Sequence, residues 1–154
     1  HGYARVEQHD WQQPRRGDWL ARLDETVIDS EPPVVLVAHS LGCVLVAAWA
    51  RFSRHSAKVR GALLVAPGDV EQPDLAPALP GWAPILRDPL PFTSLLVASQ
   101  DDPYCRFERA EQLAQAWGSR LVDAGARGHL NADSGLGDWP EGRALLQPWL
   151  AGGS

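Results

Sequence analysis

The segment that decides how this chain folds is Pro33-Val34-Val35-Leu36-Val37-Ala38-His39-Ser40-Leu41-Gly42-Cys43-Val44. Its first half, Val34 to Ala38, is a short apolar run rich in β-branched residues, which is typical of a strand buried on both faces. A pattern of small and apolar residues that suits a packed helix begins at Leu41, directly after Ser40. The segment therefore predicts a tight strand-to-helix turn, a nucleophile elbow, which raises the Ser40 hydroxyl above a sheet.

This turn departs at one position from the usual elbow pattern G-x-S-x-G, because Ala38 stands where the first glycine is expected. Small residues are needed on both sides of the serine, since the turn brings two backbone segments close together, and alanine meets that need. A second interpretation is also open, because a serine before a helix often only caps the helix N-terminus. In that case Ser40 would carry out no chemistry.

Strand-like apolar runs alternate with amphipathic segments along the rest of the chain. This alternation favours a three-layer α/β fold, with a mostly parallel sheet and helices on both faces, in a single domain over residues 1–154. The predicted strands are Tyr3–His9, Val34–Ala38, Val59–Ala66, Ser94–Ala98 and Arg120–Asp123. The predicted helices run from Asp18, as the capping residue, to about Ile28, from Leu41 to about His55, from Phe107 to Trp117 and from Trp139 to Leu150.

A proline-rich connection joins two of these strands between Pro67 and Pro91. Connections of this length inside a compact domain are usually functional. Prolines restrict the backbone, so we expect an ordered excursion over one edge of the sheet.

Composition excludes several classes of protein. The formal net charge of −5, without runs of Lys or Arg, argues against a nucleic-acid-binding protein. No apolar run approaches the roughly 18 residues of a membrane span, so we expect neither nucleic acid nor membrane as a partner. The two cysteines, Cys43 and Cys105, have no metal-ligand spacing and form no disulfide framework, and Cys43 is predicted to be a buried apolar residue. A cytoplasmic location is the default expectation.

Three polar residues follow predicted strands near their carboxyl ends: Ser40, Asp102 and His129. In open parallel sheets, sites lie beyond these strand ends. A serine needs a neutral imidazole to accept its proton, and the imidazole needs a carboxylate to fix its tautomer. Their order along the chain, Ser then Asp then His, is that of α/β-hydrolases. The three residues therefore predict a nucleophile, an acid and a base.

Some of these assignments have competitors in the sequence. Asp101 competes with Asp102 for the role of the acid, because one aspartate of a pair before proline is commonly a turn former. His129 is favoured as the base because it follows Gly128 in the loop after the last predicted strand. His39 lies beside the serine, but adjacent residues on a sharp turn point apart. We interpret it as packing or pocket lining.

Three segments carry a family resemblance: Ala38–Cys43, Ala98–Tyr104 and Gly128–Pro140. Val6–Trp11 also resembles the family's segment before the elbow. Together they resemble the small lidless serine hydrolases related to retinoblastoma-binding protein 9, over nearly the whole chain. The resemblance implies a compact α/β-hydrolase fold without a cap domain.

The same resemblance implies roles for individual residues, with Ser40 as the nucleophile, Asp102 as the acid and His129 as the base. It also implies that a strand and a glycine-rich loop precede His1, and that this loop supplies one N–H of an oxyanion hole. Leu41 would supply the other N–H. We therefore expect further residues upstream of His1.

The expected reaction is hydrolysis of small acyl esters through an acyl-serine intermediate, without a metal or organic cofactor. The expected partner is a small-molecule acyl substrate. Trp11, Trp82 and Tyr104 are predicted walls of its pocket. The alternative is a hydrolase fold of weak or no activity that serves as a protein-interaction module, for example through the connection between Pro67 and Pro91.

Overall fold

The computed structural model describes residue 6, residues 13–130 and residues 140–151. The predicted strand Tyr3–His9 lies outside these residues except for Val6. The described strands are β1 (Val34–His39), β2 (Val59–Val65), β3 (Thr93–Ala98) and β4 (Arg120–Asp123). The described α-helices are α1 (Arg16–Asp29), α2 (Leu41–Phe52), α3 (Phe107–Trp117) and α4 (Pro140–Ala151). Two short 3-10 helices lie at Ser56–Lys58 and Ala76–Ala78.

The four described strands form one parallel sheet in the order β1-β2-β3-β4. In its register Ala38 lies opposite Leu64, Leu64 opposite Leu96, and Leu96 opposite Leu121. This confirms the parallel sheet predicted from the alternating pattern. Because neighbouring strands end at nearly the same level, the loops that follow them meet at one edge.

Helices cover both faces of the sheet, as predicted. Successive side chains of a strand point to opposite faces. Ala62 and Leu64 of β2 pack into the larger core, which α1, α2 and α3 share. Leu63 and Val65 of the same strand belong to a smaller cluster with residues of α4. The described residues thus form the three layers of an α/β fold.

The larger core is built around buried tryptophans. A buried indole N–H needs an acceptor, because an unpaired polar group away from water is costly. Each of the three most buried indoles has one: Trp49 donates to Asp24 Oδ1 at 2.9 Å, Trp82 to the Pro14 carbonyl at 2.9 Å and Trp117 to the Leu86 carbonyl at 2.8 Å.

Helix ends depart from the sequence-based expectation in two places. Helix α1 begins at Arg16 with Arg15 as its N-cap, so the prediction of Asp18 as the capping residue is wrong. Asp18 lies in the first turn instead, where a negative charge is favoured by the helix dipole. Ile28 remains 45% exposed and does not join the buried stripe of α1. Helix α2 ends at Phe52, earlier than predicted.

The proline-rich connection is ordered, as expected; hydrogen bonds join its two halves, and an ion pair attaches it to α3. Its carboxylate Glu71 accepts the Ile85 N–H at 2.8 Å and a guanidinium N–H of Arg87 at 2.9 Å. Arg109 of α3 forms an ion pair with the same carboxylate at 3.3 Å. One partly buried carboxylate therefore joins both halves of the connection to α3.

Replacing Glu71 with glutamine is expected to lower the free energy of unfolding at pH 7 by about 1.5–3 kcal/mol, the usual contribution of hydrogen bonds to a charged group. The hydrogen bonds from Arg87, helped by the Ile85 N–H, lower the pKa of Glu71 from 4.5 to about 2. Because the folded-state pKa is depressed, this stabilisation is complete above the unfolded value. It is lost as the pH falls through about 2.

Urea denaturation of both proteins between pH 7 and pH 2 measures this difference. Glu25→Gln is a suitable control, since Glu25 is exposed and lies 4.0 Å from Arg22; we expect a change below about 0.5 kcal/mol. A Glu71→Gln difference that does not shrink towards low pH would contradict the role of the charge.

Candidate active site

Ser40 occupies a strained turn between β1 and α2. Its φ of 58° and ψ of −118° are rare for a residue with a side chain. Three backbone hydrogen bonds hold it: its N–H donates to the Val65 carbonyl at 3.0 Å, and its carbonyl accepts the N–H of Cys43 at 3.0 Å and of Gly68 at 3.2 Å. The turn is thus tied to both β2 and the loop after β2.

The alanine in the elbow pattern has a direct structural consequence. A Cβ atom added to Gly42 would lie 3.4 Å from the Cβ of Ala38. The two backbone segments lie close enough that a methyl group on each would be in van der Waals contact. The Cβ of Ala38 therefore fits where a glycine is usual, and it faces the side of Gly42 that carries no side chain.

The three residues singled out in the sequence lie in one hydrogen-bonded chain. Ser40 Oγ lies 2.7 Å from His129 Nε2, and His129 Nδ1 lies 2.9 Å and 3.0 Å from the two carboxylate oxygens of Asp102. The side chains of His129 and Asp102 are only 9% and 3% exposed. A carboxylate can only accept, so Nδ1 carries the proton and Nε2 is left to accept the Ser40 hydroxyl.

Asp101 and Asp102, which competed for the role of the acid in the sequence, make different contacts. Asp102 faces the ring of His129. Asp101 turns away from the ring and accepts hydrogen bonds from Ser99 Oγ at 2.8 Å and from the Gly128 N–H at 2.7 Å. Of the two candidates, Asp102 contacts the histidine side chain and Asp101 contacts the backbone of its loop.

The imidazole of His129 lies between two other rings. The ring centroid of His39 lies 4.7 Å from it and that of Tyr104 lies 4.6 Å from it. His39 Nε2 also donates to the His129 carbonyl at 2.8 Å. Partial burial lowers the pKa of His39, and its bond to that carbonyl opposes the decrease. His39 packs beside the site as expected, but its hydrogen bond to the His129 backbone left no signal in the sequence.

The predicted pocket walls fall in different places. Tyr104 is 43% exposed and lies beside His129, at the surface of the site. Trp82 is fully buried and packs edge-on against Trp19, with ring centroids 5.4 Å apart. We correct the expectation for Trp82, which is a core residue because its indole bonds to a buried carbonyl. Trp11 lies outside the described residues.

Gly68 is a site residue that sequence reasoning missed. A Cβ atom at this position would lie 3.3 Å from Ser40 Oγ and 3.6 Å from the Leu41 nitrogen. Leu41 is the first residue of α2, where backbone N–H groups have no acceptor within the helix and favour negative charge. Because glycine has no side chain, there is space at Gly68 beside both the serine hydroxyl and this N–H group.

Replacing Gly68 with alanine is expected to lower kcat of any reaction in which Ser40 attacks a substrate by about 10–10²-fold, because a displaced reacting group loses its alignment. Gly17→Ala is the matched control, since no atom lies within 4 Å of the added Cβ. Steady-state kinetics of both variants measure the effect. An unchanged kcat in Gly68→Ala would show that the hydroxyl tolerates the added methyl group.

The described ranges, residues 6, 13–130 and 140–151, also contain possible metal ligands and both cysteines. No three His, Cys, Asp or Glu side chains in these ranges are grouped so that they could hold a metal ion. Both cysteines are buried, and burial raises the pKa of Cys43 and that of Cys105, the latter to about 12. None of the helices described is long and apolar enough to cross a membrane.

Solved structures from bacteria share this architecture. A protein described as a YdeN-like hydrolase from Pectobacterium atrosepticum is 30% identical, with a TM-score of 0.80 over 94% of this chain and 74% of that one. The ydeN gene product of B. subtilis is 24% identical, with a TM-score of 0.73 over 91% and 77% of the two chains. A hydrolase of the alpha/beta superfamily from Xanthomonas campestris is 23% identical, with a TM-score of 0.59 over 86% and 69%. The last two structures, at 24% and 23% identity, support only the assignment of the fold.

Comparison with curated proteins gave no match. Residues 1–148 match the family described as Serine hydrolase. That match spans nearly the whole chain and includes the elbow, the turn after β3 and the loop after β4. The fold is that of the α/β-hydrolases, and the chain belongs to the serine hydrolase family.

Proposed function

We propose that this hydrolase cleaves small acyl esters through an acyl-serine intermediate, with Ser40 as the nucleophile, His129 as the base and Asp102 as the acid. The observation that carries the proposal is the unbroken chain from Ser40 Oγ to His129 Nε2 at 2.7 Å and from His129 Nδ1 to Asp102 Oδ2 at 2.9 Å. Membership of the serine hydrolase family supports it.

In the first half of the reaction Ser40 Oγ attacks the acyl carbonyl carbon, and its proton passes to His129 Nε2. Asp102 stabilises the imidazolium that forms and keeps Nδ1 protonated. The tetrahedral intermediate then collapses, and His129 gives the proton to the leaving alcohol. The acyl group remains bound to Ser40 as an ester.

In the second half a water molecule replaces the alcohol. His129, neutral again, accepts a proton from the water as its oxygen attacks the acyl carbon. Collapse of this second intermediate breaks the bond to Ser40 Oγ, which takes the proton back from Nε2. The acid product leaves and the free serine is restored.

Negative charge develops on the carbonyl oxygen in both halves, and we assign the Leu41 N–H as a donor to it. The N-terminus of α2 favours a negative charge at this point. Loss of one such donor typically costs about 10²–10³ in kcat. The space left by Gly68, beside the Leu41 nitrogen, is compatible with an oxygen atom there.

Two finer statements belong to the same proposal. Within the serine hydrolase family, the segments around Ser40, Asp102 and His129 favour the group related to retinoblastoma-binding protein 9. The described residues between β2 and β3 contain only one three-residue 3-10 helix and no cap domain, which favours an open site and small substrates.

A fluorophosphonate probe tests the assignment. The wild type should be labelled and Ser40→Ala should not, because the probe reacts only with an activated serine. Ser30→Ala is a matched control, since its hydroxyl donates to the Thr26 carbonyl at the end of α1; it should be labelled like the wild type. Equal labelling of wild type and Ser40→Ala would refute the nucleophile.

A panel of esters with increasing acyl length tests the substrate class, with the highest kcat/KM expected for short acyl groups. A wild type that neither reacts with the probe nor hydrolyses any ester would favour the alternative, an inactive hydrolase fold that serves as a protein-interaction module.

A further inference from the structure

The loop after β3 and the loop after β4 are joined by hydrogen bonds beside the candidate base. The Gln100 N–H donates to the Gly125 carbonyl at 2.7 Å. Further along, the Arg127 N–H donates to Ser99 Oγ at 2.8 Å, and the Gly128 N–H donates to Asp101 Oδ1 at 2.7 Å. The backbone immediately before His129 is therefore held by side chains from the other loop.

Asp101 is the centre of this arrangement. Its Oδ1 accepts two hydrogen bonds, from Ser99 Oγ at 2.8 Å and from the Gly128 N–H. Because the Ser99 hydroxyl donates to Asp101, its oxygen is free to accept the Arg127 N–H. Ser99 is only 1% exposed, so its hydroxyl is shielded from competing water, whereas the Asp101 carboxylate lies at the surface. The Asp101 carboxylate thus binds the Gly128 N–H directly, and it orients the Ser99 hydroxyl that accepts the Arg127 N–H.

The His129 loop needs such support because of its backbone conformation. Gly128 has a φ of 62° and Leu130 has a φ of 55°, so His129 lies between two left-handed residues. Leucine disfavours this region, and such strain persists only where surrounding contacts impose it. An unsupported loop would relax and move the imidazole away from Ser40.

From these contacts we infer that Asp101 is a positioning residue, whose carboxylate holds the backbone before His129 so that Nε2 stays within reach of Ser40 Oγ. The inference rests on the proposed function, in which His129 is the base. The two adjacent aspartates then have different roles: Asp102 orients the imidazole ring of His129, and Asp101 orients the backbone of the loop that carries it. In agreement with this, the Gly128 N–H, followed by the Ser99 hydroxyl, lowers the pKa of Asp101.

Kinetics with an activated aryl ester test the inference. Asp101→Ala should lower kcat by about 10–10²-fold, the order of loss expected when a reacting group is displaced, and change KM by less than about twofold. Asp101→Asn should recover kcat to within about threefold of the wild type, because the amide oxygen accepts the same two hydrogen bonds. An unchanged kcat in Asp101→Ala would overturn the inference.

A second measurement separates positioning from a general loss of structure. In a His129→Ala background, Asp101→Ala should have less than about a twofold effect, because residues that act as a unit are not additive. An equal loss in both backgrounds would overturn the inference. If His129→Ala alone kept wild-type activity, the proposed function would fail instead.

Two further variants serve as a control for a specific role of Asp101 and as a substitute if Asp101→Ala does not fold. Asp123 also accepts a backbone N–H of this loop, from Gly125 at 2.8 Å, but farther from His129. Asp123→Ala should change kcat by less than about threefold; a loss equal to that of Asp101→Ala would contradict a specific role. If Asp101→Ala does not fold, Ser99→Ala removes the acceptor of the Arg127 N–H and should lower kcat with the same dependence on His129.

Discussion

Replacing Ser40 with alanine is expected to lower kcat for ester hydrolysis by about 10⁶-fold, the loss seen when the nucleophile of a comparable triad is removed. The reason is that no other oxygen nucleophile is positioned 2.7 Å from His129 Nε2 in the described part of the chain. Alanine carries the same β-carbon as serine, so the turn at φ 58° is no more strained than before. The variant should therefore fold like the wild type.

Release of a chromophoric alcohol from a short-chain ester measures this loss, with Ser30→Ala expected to keep the wild-type kcat. A residual rate well above that in buffer is compatible with the proposal, since the remaining donors still stabilise the oxyanion. If Ser40→Ala kept kcat within about tenfold of the wild type, the acyl-serine mechanism would be excluded.

Replacing Asp102 with asparagine is expected to lower kcat by about 10⁴-fold, with geometry nearly unchanged. An amide can present its NH₂ group to Nδ1, which favours the tautomer with the proton on Nε2. In that tautomer His129 cannot accept the proton of Ser40. The carboxylate also loses its ability to stabilise the imidazolium, and both effects act on kcat rather than on binding.

The adjacent aspartate provides the comparison for this result. Asp101→Asn keeps the acceptor for Gly128 and Ser99 and should lose no more than about threefold. Parallel measurement of kcat in the two variants discriminates between the carboxylates. A larger loss in Asp101→Asn than in Asp102→Asn would reverse the assignment.

The described strands and helices follow largely from local sequence. Runs such as Val34–Ala38 and Ser94–Ala98 are apolar and β-branched, and a buried parallel strand needs little else to be recognised. The boundary of α1 is different, because Arg16 and Gly17 carry no clear helix signal. Ile28 has the right spacing for the buried face of α1, but it lies one residue before the end of the helix and is 45% exposed.

Aromatic residues show the limit of sequence reasoning about pockets. Trp82 and Tyr104 both lie in loops, and the sequence does not distinguish them. Trp82 is buried because the Pro14 carbonyl and the ring of Trp19 meet it from a distant part of the chain. Tyr104 stays exposed because the turn after β3 directs it towards His129 at the surface.

The elbow and the order of Ser40, Asp102 and His129 were evident from the sequence alone, because each follows a strand-like run and the chemistry needs all three residue types. Only the tertiary structure decided which of the two aspartates faces the imidazole, that His39 donates to the His129 carbonyl and that Gly68 borders the site. These contacts join loops after different strands, and the parallel register that brings the loops together leaves no local pattern in the chain.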